Sequence, residues 1–348
     1  VVLNAVWAIP VGDVGGVARH AADVAGVGVP GWRLRFLVPD GPVVDLLRSR
    51  DADVVVGRFG PAHGLTASLA ALRRASAGAD LVHTHLAYAD VVGALAKPRG
   101  GVLVTTEHGI ADTDLVYHGS PARSRARAAL HRLRLRRADL LLAVSQATLD
   151  VVRRKWRPPA SLPTHVVHNG VDPLPEPPAE PGLHVASLAR LAPEKRLREL
   201  VAGFAVLAAR RPEARLTLAG VGPLHAELVE QVGRLGLTDR VDLPGFVDAA
   251  SLLESVHVLA QLSVWENCSY SLLDAVVRGR GVVASAVGGN PEILPGRCLV
   301  DPADAAAVAD ALEAQGTQPE QRPTLLADWP DVAAMAKQVG EAYAEVAQ

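Results

Sequence analysis

Short apolar runs alternate with segments of helical period along nearly the whole chain, and this alternation restricts the fold more than any other feature. In the first half the runs are Val1–Trp7, Arg33–Val38, Asp53–Arg58, Leu81–His85, Val102–Thr106, Leu140–Val144 and His165–His168. In the second half they are Leu183–Leu188, Arg215–Ala219, Val241–Leu243, Val256–Leu262, Gly281–Ala284 and Cys298–Val300. Strands that alternate with helices build parallel sheets covered on both faces. Between the two series lies Asp172 to Gly182, with five prolines in eleven residues. Proline lacks an N–H and fixes φ, so this stretch continues neither a helix nor a central strand and reads as a connector. The predicted plan is α/β: a Rossmann-like domain over 1–172, a connector over 173–182, a second Rossmann-like domain over 183–328, and a helix within 329–348. A length of 348 residues suits two domains.

Composition narrows the function. The net charge of −2 gives no global field for nucleic acid. Two cysteines, Cys268 and Cys298, make no disulfide framework and suit a reducing compartment. The chain enters a strand at Val1 with no signal segment, and no apolar run is long enough to span a bilayer. The expected location is cytoplasmic.

Several strand ends carry chemistry. After the run ending near Val264, Glu266 is followed by an Asn267-Cys268-Ser269 turn and then by Asp274, eight positions on. Two acids there can face one ligand at the sheet's carboxyl edge, and would share a side if helix filled most of the interval. The alternative is a buried βαβ unit with two incidental acids. Arg190 and Lys195 follow another strand, and two fixed cations suit a pyrophosphate; a surface salt-bridge loop is the bland reading. The turn Gly12-Asp-Val-Gly15-Gly16 precedes a helix expected from Val17, where free N–H groups can meet phosphate, although a plain tight turn reads equally well. His83, His85 and His108 lie at strand ends. His83 and His85 are read as alternating between the faces of their strand, which argues against chelation of one ion, and there is no H-E-x-x-H pattern.

Residues 263–294 resemble the E-x7-E signature of the retaining glycosyltransferases of family 4, with Asp274 at the second acid, and Gly281 to Glu292 resembles the next strand and Gly-Gly turn of that family. Ser187 to Arg196 resembles its G-R-L-x-x-x-K-G element, with Ala189 and Arg196 standing at the two glycines. Ser145 and Asn169–Asp172 match further landmarks. The resemblance implies a GT-B fold, two doubly wound Rossmann-like domains with parallel sheets facing across a cleft, the final helix crossing back to the first domain. It implies catalytic roles for His108, Arg190, Lys195 and Glu266. It implies donor contacts from Gly15, Gly16, Gly222, Phe246, Val247, Asn267, Cys268, Ser269 and Asp274. His85 is expected to be structural or acceptor-facing.

The implied reaction moves a sugar from a UDP- or GDP-sugar to a hydroxyl of a glycan, a lipid-linked molecule or a small molecule, with retention. It requires no metal and no cofactor. A nucleotide-sugar epimerase of the same fold and a non-catalytic sugar-nucleotide binder are the rivals; a dinucleotide fingerprint, which an oxidoreductase needs, is missing. Asp51/Asp53 and Asp112/Asp114 are Asp-x-Asp pairs of the kind that holds a divalent ion in another transferase class, the second the harder to dismiss. Seven arginines and His131 fill 123–137. Ala126, Leu130 and Leu133 form the expected apolar stripe, with Arg123, Arg127 and Arg134 off it. Such a helix either binds anionic lipid at the inner membrane face or presents a solvated basic face.

Overall fold

A computed structural model describes residues 2–98, 100–110, 121–175 and 180–347, with the side chains of 121–126 outside that description. The chain divides into two compact units, 1–170 with 330–348, and 171–329.

In the first unit the strands are β1 (Leu3–Ala8), β2 (Trp32–Val38), β3 (Asp53–Val56), β4 (Leu81–His85), β5 (Val102–Glu107), β6 (Leu140–Ala143) and β7 (Thr164–Val166). They form one seven-stranded sheet in the order β3-β2-β1-β4-β5-β6-β7, parallel throughout. The helices are α1 (Gly16–Val27), α2 (Pro42–Arg48), α3 (Gly64–Ala75), α4 (Ala87–Ala96), α5 (Pro121–Leu135) and α6 (Gln146–Trp156). Alternation along β1 sends Ala5 and Trp7 into one core, with Phe36, Leu47, Leu140 and Met335, and sends Val6 and Ala8 into the other, with Leu37, Phe59, Leu72 and Val92.

The second unit holds β8 (His184–Leu188), β9 (Arg215–Ala219), β10 (Val241–Gly245), β11 (Val258–Gln261), β12 (Gly281–Ser285) and β13 (Leu299–Val300), in the parallel order β10-β9-β8-β11-β12-β13. Its helices are α7 (Leu197–Arg210), α8 (His225–Arg234), α9 (Ala249–Ser255), α10 (Tyr270–Val277), α11 (Asn290–Ile293) and α12 (Ala305–Thr317). Leu200, Phe204 and Leu207 of α7 and Val308 and Leu312 of α12 fill its core. The last helix, α13 (Val332–Ala344), belongs to the first unit, where Met335, Val339 and Tyr343 enter the core that holds Trp7.

Two expectations change. The apolar stripe on α5 is inverted: Leu130 and Leu133 are exposed, whereas Arg134 and Leu135 are buried. Arg134 turns inward because Asp90 lies 3.1 Å from its guanidinium and Glu107 accepts a hydrogen bond from it, so pairing overrides hydrophobic period. The side chain of Arg123, and Asp112 with Asp114, lie outside the described residues. The second change concerns His83 and His85. Residues two apart on a strand share a face, and their ring centroids are 4.2 Å apart. No helix among the described residues is long and apolar enough to cross a membrane.

Candidate active site

Each sheet reverses its strand order once, between β1 and β4 in the first unit and between β8 and β11 in the second. In open parallel sheets, ligands bind outside the carboxyl ends of the strands at such a reversal. Several of the residues singled out in the sequence fall at or beside these reversals. Gly15 and Gly16 follow β1, His85 ends β4 and His108 follows the neighbouring β5; Arg190 and Lys195 follow β8 and Glu266 follows β11.

In the second unit the two loops at the reversal are tied together. Lys195 forms an ion pair with Glu266, and both side chains are partly exposed, at 24% and 14%. The Val264 N–H donates to the Glu194 carbonyl, 2.8 Å away. Arg190 is 63% exposed and pairs with Glu194, so its guanidinium is anchored yet open to an anion. Lys195 closes a single 3₁₀ turn, Pro193–Lys195, and Arg196 leaves it in the left-handed region at φ 48°, where an L-residue is strained and glycine is not. That strained position is one of the two where the sequence departs from the G-R-L-x-x-x-K-G element. A third loop, after β12, presses on Glu266: a Cβ on Gly288 would stand 1.7 Å from the Glu266 carbonyl oxygen. Ser285 donates to the Ser263 carbonyl at 2.6 Å, and Asn290 donates to the Ser285 carbonyl at 3.0 Å.

Glu266 and Asp274 do not share a helix. Only α10, from Tyr270, is helical in that interval, so the two-turn spacing does not align them. Asp274 sits beside Arg278 at 3.6 Å, one turn on. Ser269 caps α10, and its hydroxyl accepts from Gln261 at 2.9 Å. Asn267 and Cys268 are buried. Gly222 packs against protein: a Cβ there would lie 2.4 Å from the Leu191 carbonyl, so it supports the loop carrying Arg190. Phe246, just past β10, is 86% exposed, and Val247 is half-buried.

In the first unit α1 starts at Gly16, one residue before the expected Val17. Gly15 is its N-cap, no side chain caps the helix, and nothing lies within 4 Å of a Cβ built on Gly15. The first-turn N–H groups are thus available to an anion. Half-buried His108 follows Glu107, and its Nε2 lies 2.8 Å from His85 Nδ1. Burial, with His20 and His83 nearby, holds its ring well below the usual imidazole value, so it is neutral at neutral pH. Behind it, Thr84 and Thr105 each donate to Asp90 at 2.6 Å, and Arg134 bridges Asp90 and Glu107. Burial raises the carboxyls of both Asp90 and Glu107. Sequence reasoning missed Glu194, His20 and this buried triad. His20 and the triad find their partners on elements distant in sequence, and the Arg190–Glu194 spacing, though local, reads as an ordinary surface pair.

A family model described as "Glycosyltransferase Family 4" matches residues 14–173, and one described as "Glycosyl transferases group 1" matches 182–315. The chain is 28% identical over 236 residues to N-acetyl-alpha-D-glucosaminyl L-malate synthase of Bacillus anthracis, covering 62% of this chain and 58% of that protein. It is 29% identical over 259 residues to alpha-maltose-1-phosphate synthase of Mycolicibacterium smegmatis, covering 66% and 65%. The chain thus spans about three fifths of the length of these curated relatives. Among solved structures, Anabaena HepE in complex with UDP-glucose superposes with a TM-score of 0.78 at 23% identity, over 99% of this chain and 100% of that one. Sucrose-phosphate synthase of Thermosynechococcus elongatus gives 0.70 at 21%, over 99% and 96%.

Proposed function

Since the chain belongs to the family 4, group 1 glycosyltransferases of the GT-B fold, we propose that it moves a sugar from a nucleotide-sugar donor, a UDP-sugar first among them, to a hydroxyl acceptor with retention of configuration. The observation that carries this reading is the cation pair, Arg190 and Lys195, placed at the strand-order reversal of the second unit and held by Glu194 and Glu266 respectively. Such a pair stabilises the charge that grows on a departing diphosphate, and does so most effectively when it is already held in place. Glu266 and the main chain of Asn267 to Ser269 hold the hydroxyls of the transferred sugar, and Asp274 reaches the ribose. Phe246 and Val247 border the base. Neutral His108 meets the donor sugar beside the reacting carbon, and the open N-terminus at Gly15 and Gly16 faces phosphate. The leaving phosphate takes the acceptor proton, so no side-chain base is assigned and the transfer needs no metal. UDP complexes among the structural neighbours support the choice of base, and a relative named for L-malate supports a small-molecule acceptor alongside glycan and lipid-linked ones.

The test pairs calorimetry with turnover. UDP should bind more tightly than GDP, and transfer from a UDP-sugar should continue in excess EDTA with an α-configured product from an α-configured donor. Activity that EDTA abolishes and Mn²⁺ restores would overturn the metal-free reading. An inverted product would overturn retention. Isomerisation of donor alone would favour the epimerase.

A further inference from the structure

Four histidine rings crowd one corner of the first unit: His20 on α1, His83 and His85 on β4, and His108 after β5. Hydrogen bonding separates them into two kinds. Trp7 Nε1, which can only donate, gives its hydrogen to the Tyr343 hydroxyl at 2.9 Å. That hydroxyl donates onward to His83 Nδ1, so His83 Nε2 carries a hydrogen and donates to Thr106 Oγ1 at 2.6 Å. Both nitrogens of His83 are therefore committed.

The other three rings differ. His20 Nδ1 donates to Asn169 Oδ1 at 3.1 Å, which leaves a bare lone pair on Nε2, and that atom is buried without a hydrogen-bond partner. His85 Nδ1 and His108 Nε2 face each other at 2.8 Å and share one hydrogen, so an ion between them would displace that hydrogen and take one lone pair from each ring, while His85 Nε2 keeps its own hydrogen, buried without a partner. Leaving such atoms unmatched costs stability, and few native groups do so without a reason. One ligand nitrogen from each of His20, His85 and His108 lies within 4.8 Å of the others. Their ring centroids are 4.9, 5.1 and 5.8 Å apart. A tetrahedral zinc ion with Zn–N of about 2.0–2.1 Å holds three imidazole centroids roughly 5 Å apart.

We propose that His20, His85 and His108 form a binding site for one divalent late transition-metal ion, zinc above all, with the fourth position left to water or an anion. Three imidazoles and no carboxylate suit zinc rather than magnesium or calcium, which take oxygen ligands. Burial depresses all three rings below the ordinary value, so protons compete little for the nitrogens near pH 7. Asn169 is the outer partner that fixes the His20 tautomer, as carbonyl oxygens do behind metal-bound histidines. Half-buried His108 gives the ion a way in. The transfer proposed above takes no step from this ion.

The experiment uses the whole chain, stripped by a chelator and dialysed. Zn²⁺ is titrated by calorimetry and Co²⁺ by visible absorption. One equivalent should bind, and Co²⁺ should show the intense bands of four-coordinate nitrogen ligation. His20→Ala and His85→Ala should each weaken Zn²⁺ binding by more than about tenfold, since even an outer-shell partner is worth 10–100-fold. Exposed His225→Ala should leave it unchanged. No saturable binding to the unaltered chain, a pale six-coordinate Co²⁺ spectrum, or unchanged affinity in a folded His20→Ala protein would each overturn the site. The spectrum of the unaltered chain decides the matter even if both variants unfold.

Discussion

The two units handle charge in opposite ways. The first buries ionisable groups: Asp90, Glu107 and Arg134, together with the uncharged rings of His20, His83 and His85, are each at most 3% exposed. The second has an almost wholly aliphatic core, sinks Arg322 against main-chain carbonyls, and keeps Arg190, 63% exposed, with the more covered Lys195, Glu266 and Asp274 on loops and helix ends at the sheet edge. A group that must grip a diphosphate has to stay accessible and keep its charge, whereas a group that orients another side chain can be buried and desolvated. Removing Arg134 should therefore unfold the first unit, whereas removing Arg190 or Lys195 should merely disarm the second.

Arg134→Ala should give the largest effect. It strands two buried carboxyls, and breaking a buried pair costs about 3–5 kcal/mol. Urea denaturation would show it, and a loss under 1 kcal/mol would mean that the triad is not the support claimed.

Acid should act on the first unit next. His20 titrates near 4 in the folded unit instead of its usual 6.5. The unfolded chain thus takes up its proton first, so the stability is complete above pH 6.5 and is lost as pH falls towards 4, by about 3 kcal/mol for this ring. His83, His85 and His108 shift the same way. Asp90 and Glu107, with raised carboxyls, act oppositely and lose stability as pH rises from the ordinary carboxyl range. Denaturation midpoints for His20→Asn should fall less steeply between pH 6.5 and 4; an identical slope would refute the assignment.

Lys195→Ala probes the other side of the comparison. Charge-assisted bonds are worth about 1.5–3 kcal/mol, so nucleoside-diphosphate affinity should drop roughly ten- to a hundredfold, with the denaturation midpoint nearly unmoved. A large fall in stability at unchanged affinity would reverse the contrast between the units.

The smallest effect belongs to Arg196→Gly. Relieving a left-handed L-residue gains about 1 kcal/mol, partly offset by the freedom glycine has in the unfolded chain. A clear destabilisation would show that the Arg196 side chain matters more than its backbone.

Strand positions were legible because each strand is a short apolar run. Leu81–His85 and Arg215–Ala219 fall where the pattern puts them. The cations after β8 and the acid after β11 were legible as strand-end chemistry. What the pattern cannot hold is strand order, and strand order is what sets Lys195 against Glu266 across 71 positions. His20 sits on an ordinary helix face, and nothing near it in sequence points to Asn169. The face of α5 was misread because two acids from other elements draw Arg134 inward. The condition that helix fill the interval from Glu266 to Asp274 is not met, because the helix begins at Tyr270.

The hydroxyl of Tyr343 joins Trp7 and His83 from the far end of the sequence. During synthesis those two side chains are made early and their partner late, while the whole of residues 171–329 is produced in between, which takes roughly 10–30 s at 5–20 residues per second. The later unit is contiguous and is expected to mature first, with the earlier one waiting, its aromatic and imidazole groups unmatched, for the returning helix. Chains stopped after residue 329 should resist protease across 171–329 and be cut within 1–170; equal resistance of the two would contradict that order.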